Sequence, residues 1–256
     1  MRGGLRQIAV LAAVTFNLVM NGLAGAGLLF GVQTGAVSDS VPTGLTPATW
    51  AFSIWGLIFV GAALFALWQA RPSFQGPRYD AVGGPFALAN VLCGLWQVPW
   101  LLRLFGVAAV VLFAIVAALA WTYVRLDRMG PRGTERWAMA VPVALFLGWT
   151  TVAAAVNVTV ALAAAGWASA SPLWPVAVVV AVAAVGAWVL GRTADVAMAL
   201  VFTWAFVAIW DGSADGDPAL TAALAAGVVA FWGAVGLALR RGHHAWPTAH
   251  SLRPRG

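Results

Sequence analysis

Aromatic side chains are concentrated where one apolar segment of the chain begins. The chain has 15 tryptophans, and Trp50, Phe52, Trp55 and Phe59 stand close together in this segment. At about 100° per residue of α-helix, Trp50 and Trp55 lie on different faces, whereas Phe52 and Phe59 share one. Such rings could line a pocket and stack against a flat apolar molecule, such as a tetrapyrrole or a sterol-like ring. Packing of one helix against another is the alternative, because aromatic residues commonly fill cores.

Asparagines within the apolar segments are candidate hydrogen-bonding residues inside the protein. Asn17 and Asn21 are four residues apart and therefore share one helix face. Asn90 and Asn157 stand in two later apolar segments. Asparagines at membrane depth commonly hydrogen-bond one helix to another, a contact worth roughly 0.6–2 kcal/mol. A hydrogen bond to a ligand is the alternative, and both roles require a side chain that faces the interior of a helix bundle.

Several kinds of chemistry are excluded by the residue types that the chain lacks. It has no lysine, so a retinal Schiff base cannot form. Its histidines, His243, His244 and His250, all lie near the C-terminus, which excludes bis-histidine haem ligation or a histidine metal site inside a bundle. Glu135 is the single glutamate. We therefore expect neither an enzyme nor a covalently bound cofactor.

Composition and segment length indicate that transmembrane helices carry these residues. Hydrophobic residues make up 62% of the 256, charged residues 9%, and the mean hydropathy is +0.89, whereas soluble proteins carry about 25% charged residues. The apolar segments lack the alternation of apolar and polar residues that is typical of strands. Their lengths are close to the ~20 residues that a helix needs to cross a bilayer. We predict an all-α integral membrane protein in a lipid bilayer. Its eight predicted helices are Ile8–Phe30, Thr49–Ala70, Pro85–Phe105, Val107–Val124, Trp137–Ala165, Pro175–Leu190, Ala194–Trp210 and Ala219–Leu239.

The arginines predict the orientation of these helices. All but one of them fall before the first helix, in every second connection or after the last helix, and Arg103 is the exception. The positive-inside rule then places both termini in the cytoplasm and requires an even number of helices, in the cell (inner) membrane. The positive charge accordingly indicates topology and contact with anionic lipid, and we expect no nucleic-acid partner.

The two ends of the chain carry their own predictions. The first apolar segment is too long for a cleavable signal peptide, so we expect it to remain as the first span. Gly27 and Gly31 in this segment form a small-xxx-small pair that would suit a homodimer. Residues 242–256 are polar and contain proline, which predicts a disordered cytoplasmic tail.

Two motifs resemble those of a known family. Residues Thr46–Phe59 read T-P-A-T-W-A-F-S-I-W-G-L-I-F, and Trp149 is followed eight residues later by Asn157. Both resemble the TspO/MBR family, the tryptophan-rich sensory or translocator proteins, in the second and fifth helices. The segment with Asn90, Trp96, Pro99 and Trp100 resembles the third helix of the family more loosely. The resemblance implies a five-helix TspO-like bundle over residues 1–168. The remaining predicted helices depart from the family pattern and form three additional helices over residues 169–241.

Two classes of function remain open. The resemblance implies a binding or sensor protein for a porphyrin, another tetrapyrrole or a similar small apolar ligand. Its ligand-binding residues would then be Trp50, Phe52, Trp55, Asn90, Trp96, Trp149 and Asn157. The alternative is a small multi-pass transporter, with a pathway lined by Asn17, Asn21, Gln97 and Asp195. The scarcity of charge inside the predicted spans favours the apolar-ligand interpretation.

A short repeat concerns the additional helices. Thr203–Trp210 reads T-W-A-F-V-A-I-W, close to T-W-A-F-S-I-W at Thr49–Trp55, and could supply a second aromatic surface for the same pocket. A chance match is the alternative in a chain so rich in tryptophan and alanine. The loop that follows, D-G-S-A-D-G-D-P, lacks the ligand pattern of a calcium-binding EF-hand, so we expect a solvated turn that caps the last helix.

Overall fold

The computed structural model describes residues 3–41, 43–167, 173–213 and 216–242, and all regular secondary structure in these ranges is helical. The all-α prediction is therefore confirmed. The predicted tail lies outside the described residues, apart from Gly242. The α-helices in chain order are α1 (Gly3–Gly25), α2 (Thr34–Asp39), α3 (Ile54–Gln69), α4 (Pro77–Leu101), α5 (Phe105–Met129), α6 (Val141–Ala164), α7 (Trp174–Thr193), α8 (Val196–Gly212) and α9 (Pro218–Arg240).

Helix lengths agree with a multi-pass membrane protein. In the described ranges, seven helical stretches are long and apolar enough to cross a membrane. Two of them extend α3 and α6 at their starts, through a 3-10 turn over Thr49–Ser53 and a π-helical turn over Arg136–Ala140. The remaining long helix, α8, has 17 residues, which is about the lower limit for a span. The eight predicted segments thus correspond to the eight long helices, and α2 is a short helix that the hydrophobic pattern did not predict.

The two ends of the bundle differ in charge. One end, here called the arginine-rich end, carries the start of α1, the end of α9 and the connections α3–α4, α5–α6 and α7–α8. It holds the described arginines other than Arg103. The opposite end, here called the arginine-poor end, carries Asp39, Arg103, Asp211 and Asp217. Arg103 occupies the tight turn between α4 and α5, and its Nη1 donates to the Ser40 hydroxyl at 2.8 Å.

The long helices share one core. α4 packs against α1 and α5, α6 contacts α3, α5 and α8, and α9 packs against α7 and α8. Buried apolar residues from all eight long helices form one continuous cluster, for example Phe86 of α4, Phe146 of α6 and Phe231 of α9. The three C-terminal helices therefore pack onto the first five, and the predicted division at residue 168 is not marked by a second core within the described residues.

The structure corrects the starts of two helices. α1 begins at Gly3 and not at Ile8, and α4 begins at Pro77 and not at Pro85. The added turns contain polar residues, so a prediction from apolar segments stops short of them. Contacts between helices stabilise these turns, and such contacts are not visible in the sequence pattern.

A buried arginine holds the added turns together. Arg6 is fully buried, and its Nε lies 3.2 Å from Asp80 Oδ1 in the first turn of α4. Its Nη2 donates to the Phe74 carbonyl at 2.5 Å. The Gln7 amide donates to the Gln69 carbonyl at 3.0 Å, which joins the start of α1 to the end of α3. The first turn of α4 therefore carries an acidic residue, Asp80, that the predicted start at Pro85 left outside the helix.

The predicted glycine motif of the first helix is also wrong. α1 ends at Gly25, and Gly27 and Gly31 lie beyond it with φ of +73° and +70°. A left-handed backbone of this kind belongs to turns and not to a helix face, and glycine adopts it without a steric penalty. These glycines therefore do not present a helical surface for a second copy, and a homodimer remains a prediction without this support.

Candidate ligand-binding site

A cavity opens between the helices in the half of the bundle nearer the arginine-poor end. It contains about 730 Å³ of space between atoms, including its open mouth. Residues of α2, α3, α4, α5, α6 and α8 contribute to it, together with the segment that precedes α3. Its lining has no charged side chain within the described ranges and consists of Thr34, Ser38, Pro47, Phe52, Trp55, Cys93, Trp96, Trp100, Leu112, Ile115, Trp149, Val152, Ala153, Val156, Asn157, Ala205 and Ile209.

Aromatic rings from α3 and α6 form one side of the lining. The Trp149 ring meets Phe52 and Trp55 edge to face, with centroid distances of 6.4 and 6.2 Å. Trp55 in turn stacks on Phe59 at 5.3 Å. Edge-to-face and offset pairs of this kind are favourable beyond the area that they bury. The rings therefore support one another, which fixes the shape of this side of the cavity.

Aromatic residues at the start of α3 point in two directions. Phe52, near the end of the 3-10 turn, and Trp55, in the first turn of α3, are three residues apart and both line the cavity. Trp50, two residues before Phe52, lies outside the lining. The expectation that Trp50 and Trp55 lie on different faces therefore agrees with the structure.

Two tryptophans of α4 form a further part of the lining. Trp96 and Trp100, four residues apart, stack with centroids 5.0 Å apart and planes 22° from parallel. Trp100 Nε1 donates to the Thr34 carbonyl at 3.0 Å. This bond ties α4 to α2, and it positions the short helix that contributes Thr34 and Ser38 to the cavity.

Polar atoms in the lining are few, and three of them are unpaired. Trp96 Nε1, Trp149 Nε1 and Asn157 Oδ1 are buried and have no hydrogen-bond partner among the described residues. The Asn157 side chain does use its other polar atom, because Nδ2 donates to the Ala153 carbonyl at 3.1 Å. All three residues line the cavity, but the unpaired atoms themselves are fully buried.

The structure brings five of the seven predicted site residues together around this cavity. They are Phe52, Trp55, Trp96, Trp149 and Asn157. Their contact with a ligand stays a prediction, but their convergence from three different helices is a geometric fact. Trp50 and Asn90 lie elsewhere.

Asn90 belongs to a chain of amides between α1 and α4. It is fully buried, and its Oδ1 accepts from Asn17 Nδ2 at 2.9 Å. Asn21 Nδ2 donates to Asn17 Oδ1 at 2.7 Å, and Gln97 Nε2 donates to Asn21 Oδ1 at 2.6 Å. The chain ends at the cavity, where the Thr34 hydroxyl donates to Gln97 Oε1 at 2.8 Å. These asparagines therefore join helices, which was one of the two roles predicted for them.

Several lining residues were not predicted from the sequence. Trp100 could have been found, because it lies four residues after Trp96 on the same helix face. Nothing in the sequence pattern indicated Thr34 and Ser38 as lining residues, because α2 is too short to show a helical periodicity. Ala205 and Ile209 of α8 lie within the repeat Thr203–Trp210, which indicated an aromatic surface but not these small and aliphatic positions.

The repeat segments do pack against each other. Trp204 Nε1 donates to the Ala51 carbonyl at 3.1 Å, and Trp50 Nε1 donates to Asp211 Oδ2 at 2.7 Å. The second copy thus supports the segment before α3, which itself contributes Pro47 and Phe52 to the cavity. In the following loop, Asp217 Oδ1 accepts from the Ala219 amide at 2.9 Å, so the predicted cap of the last helix is present.

The residues of the alternative transport pathway do not converge. Asn17, Asn21 and Gln97 belong to the amide chain between α1 and α4. Asp195 instead accepts from the Tyr123 hydroxyl at 2.8 Å and from the Met198 amide at 3.1 Å, at the start of α8. Asp195 therefore caps α8 and bonds it to α5. The transporter interpretation stays a prediction, and its four residues do not line one common pathway.

Long apolar helices around an aromatic-lined cavity define a multi-pass helical membrane protein. A family model described as TSPO-like protein matches residues 7–245 of the chain. Because this match covers nearly the whole chain, the protein belongs to the TSPO-like family, and α7–α9 lie within the matched region. No curated protein and no solved structure matched the chain in two further comparisons.

Proposed function

We propose that the protein binds a flat, mostly apolar ligand, such as a tetrapyrrole or a sterol-like molecule, in the cavity described above. The observation that carries this proposal is the aromatic lining, which combines Phe52, Trp55 and Trp149 with the stacked pair Trp96 and Trp100. Aromatic faces and edges attract flat ring systems through stacking and edge-to-face contact. The fold alone would not support this proposal, because a family fold can carry more than one function.

The polarity of the cavity supports the proposal. Sites for small molecules combine an apolar lining with a few polar groups. Most of the lining is apolar or aromatic, and Thr34, Ser38 and Asn157 supply the polar groups. The lining contains no lysine, histidine, aspartate or glutamate in the described ranges, so we propose binding and not catalysis.

The orientation of the protein forms the second part of the proposal. All described arginines except Arg103 lie at the arginine-rich end. Cytoplasmic connections of membrane proteins carry an excess of arginine and lysine. We therefore propose that this end and both termini face the cytoplasm from the cell (inner) membrane, which places the cavity in the outer half of the bilayer.

The test of ligand binding is a titration of the purified, detergent-solubilised protein with protoporphyrin IX, followed by quenching of tryptophan fluorescence. Saturable quenching is expected, because several tryptophans line the cavity. Quenching that rises linearly without saturation would mean partition into the micelle and would contradict the proposal for tetrapyrroles.

A substitution that fills the cavity locates the bound molecule. Ala153→Phe places a large ring in the lining and is expected to weaken binding about tenfold or more, since overfilling a packed space costs roughly 1–3 kcal/mol. Ala164→Phe is the matched control, because Ala164 is exposed on the same helix and lies outside the lining. Equal binding by both variants would place the ligand elsewhere.

A further inference from the structure

Arginines at the arginine-rich end differ in the contacts of their guanidinium groups. Arg6 lies beside Asp80, and Arg78 pairs with Glu135, so these two neutralise acids of the same chain. Three other arginines place the guanidinium over an indole ring instead. In the part of the chain that the structure describes, none of these three guanidinium groups has an ion pair or a hydrogen bond, and their N–H donors can bind an anion. They are Arg71, Arg125 and Arg192.

Each of these arginines follows its tryptophan by about one helical turn. A cation over an aromatic ring is attracted by the ring face, and this contact uses none of the N–H donors of the guanidinium. The indole therefore positions the charge without neutralising it. The pairs, with the distance from the arginine Cζ to the ring centroid, are Trp68–Arg71 (3.8 Å), Trp188–Arg192 (4.5 Å) and Trp121–Arg125 (6.0 Å).

Two of the indoles face outward from helices that are long and apolar enough to span a membrane. Trp121 of α5 is 53% exposed, and Trp188 of α7 is 59% exposed. The third, Trp68 near the end of α3, is half-buried and also stacks on Phe74 at 5.7 Å. Tryptophan rings at helix ends lie at the level of the lipid headgroups. The stacked guanidinium groups, one turn closer to the helix end, then lie at the depth of the lipid phosphates.

The arginine-poor end lacks such pairs. Trp50 donates its indole N–H to Asp211, and Trp204 donates to a backbone carbonyl, so both tryptophans bond within the protein. Arg103 donates to the Ser40 hydroxyl, and no described arginine at this end lies over an aromatic ring. The pairs therefore face one leaflet of the bilayer and not the other.

We propose that each of the three Trp–Arg pairs binds the headgroup of an anionic phospholipid in the leaflet at the arginine-rich end. The guanidinium donates to oxygens of the lipid phosphate, a charge-assisted contact that is frequently bidentate. The indole packs against the glycerol and the first carbons of the acyl chains, where an amphipathic ring is favoured. This inference concerns the lipid-facing surface and does not depend on the ligand proposed for the cavity.

Native mass spectrometry of the detergent-solubilised protein counts the bound lipids. Dioctanoyl phosphatidylglycerol and dioctanoyl phosphatidylcholine share the phosphate and the acyl chains, but only the first has a net negative charge. We expect up to three phosphatidylglycerol molecules to bind about fivefold more tightly than phosphatidylcholine, the effect of roughly one basic side chain per lipid. Equal binding of the two lipids overturns the inference.

A matched pair of arginine variants separates a built site from general positive charge. Arg192→Gln and Arg78→Gln each remove one charge from the same end of the protein. Arg192→Gln is expected to lose one of the three phosphatidylglycerol molecules, whereas Arg78→Gln retains all three, because the Arg78 guanidinium is already paired with Glu135. Equal losses in the two variants would mean that the lipids respond only to net charge, which overturns the assignment.

Two further measurements test the indole and the source of the phosphate. Trp188→Leu keeps the charge of Arg192 but removes the ring beneath it, and should weaken the lost site of Arg192→Gln about threefold; unchanged affinity contradicts a role for the indole. Displacement of phosphatidylglycerol by an equal concentration of inorganic phosphate would indicate a site for free anions and overturn the lipid. Quenching by protoporphyrin IX should be the same in Arg192→Gln as in the unchanged protein, since Arg192 lies outside the cavity lining. Failure of either proposal thus leaves the other standing.

Discussion

Trp50 and Trp204 meet edge to face, with ring centroids 4.7 Å apart and ring planes at 90°. This contact joins the segment before α3 to the middle of α8, although the two residues are far apart in the chain. The backbone reinforces it, because the Ala48 amide donates to the Ala208 carbonyl at 2.8 Å. One of the three C-terminal helices thus holds in place the segment that carries Pro47 and Phe52 into the cavity.

Close approach of the two backbones at Gly212 predicts the first stability effect. A Cβ at this position would overlap the Thr46 carbonyl and the Ala48 amide. We therefore expect Gly212→Ala to lower the free energy of unfolding by roughly 1–3 kcal/mol and to weaken ligand binding. Gly233→Ala in α9 is the control, because its Cβ meets nothing within 4 Å and alanine stabilises a helix by roughly 0.5–1 kcal/mol. Thermal unfolding in detergent measures both, and equal melting temperatures would contradict the prediction.

The buried ion pair at the arginine-rich end predicts an asymmetric effect of removing carboxylates. Arg6 is fully buried beside Asp80, whereas Arg78, which pairs with Glu135 at 3.0 Å, is 51% exposed. Asp80→Asn leaves a buried charge without its partner and should cost about 3–5 kcal/mol. Glu135→Gln leaves a half-exposed arginine that water can solvate, and the new amide oxygen can still accept from the Tyr79 hydroxyl, so it should cost no more than about 1 kcal/mol.

The measurement for these two variants is chemical or thermal unfolding in the same detergent. A similar loss in both would mean that solvent reaches Arg6. Combining Asp80→Asn with Arg6→Met should recover part of the lost stability, because the uncompensated charge is then removed as well. The absence of any recovery would indicate that Arg6 stabilises the fold through its bond to the Phe74 carbonyl instead.

The amide chain between α1 and α4 predicts coupling between two asparagines. Asn17→Leu and Asn90→Leu each break the 2.9 Å bond that joins them, and each should cost roughly 0.6–2 kcal/mol. The double variant should cost less than the sum of the two, because the shared bond is lost only once. Strict additivity in a double-mutant cycle would show that the two amides do not interact.

The long helices could be predicted because the bilayer imposes a simple rule on the sequence. Apolar segments of about the right length, with arginines in alternate connections, correspond to the eight long helices of the structure. The first turns of α1 and α4 escaped prediction, because they are polar and their stability comes from the contact between Arg6 and Asp80. Pairing across helices cannot be inferred from the local hydrophobicity of either one.

The candidate site was predictable as a set of aromatic and amide residues but not residue by residue, because tertiary contacts decide which side chains face the cavity. Trp149 and Asn157 both line it. Trp50 instead donates to Asp211 of α8, and Asn90, although it lies on a regular helix, bonds to Asn17 of α1. The role of α8 was suggested by the repeat, but its support of the segment before α3 depends on tertiary packing.

The orientation of the bundle predicts which positions are labelled from outside the cell. Cys93 is buried, so a cysteine introduced at an exposed site is the one that reacts. Asp39 is exposed at the arginine-poor end and Thr134 at the arginine-rich end. If the arginine-rich end faces the cytoplasm, a membrane-impermeant maleimide should label Asp39→Cys in cells with an intact inner membrane, and should label Thr134→Cys only after lysis. The reverse pattern would invert the topology and move the cavity to the cytoplasmic half of the bilayer, where a ligand would have to enter from inside the cell.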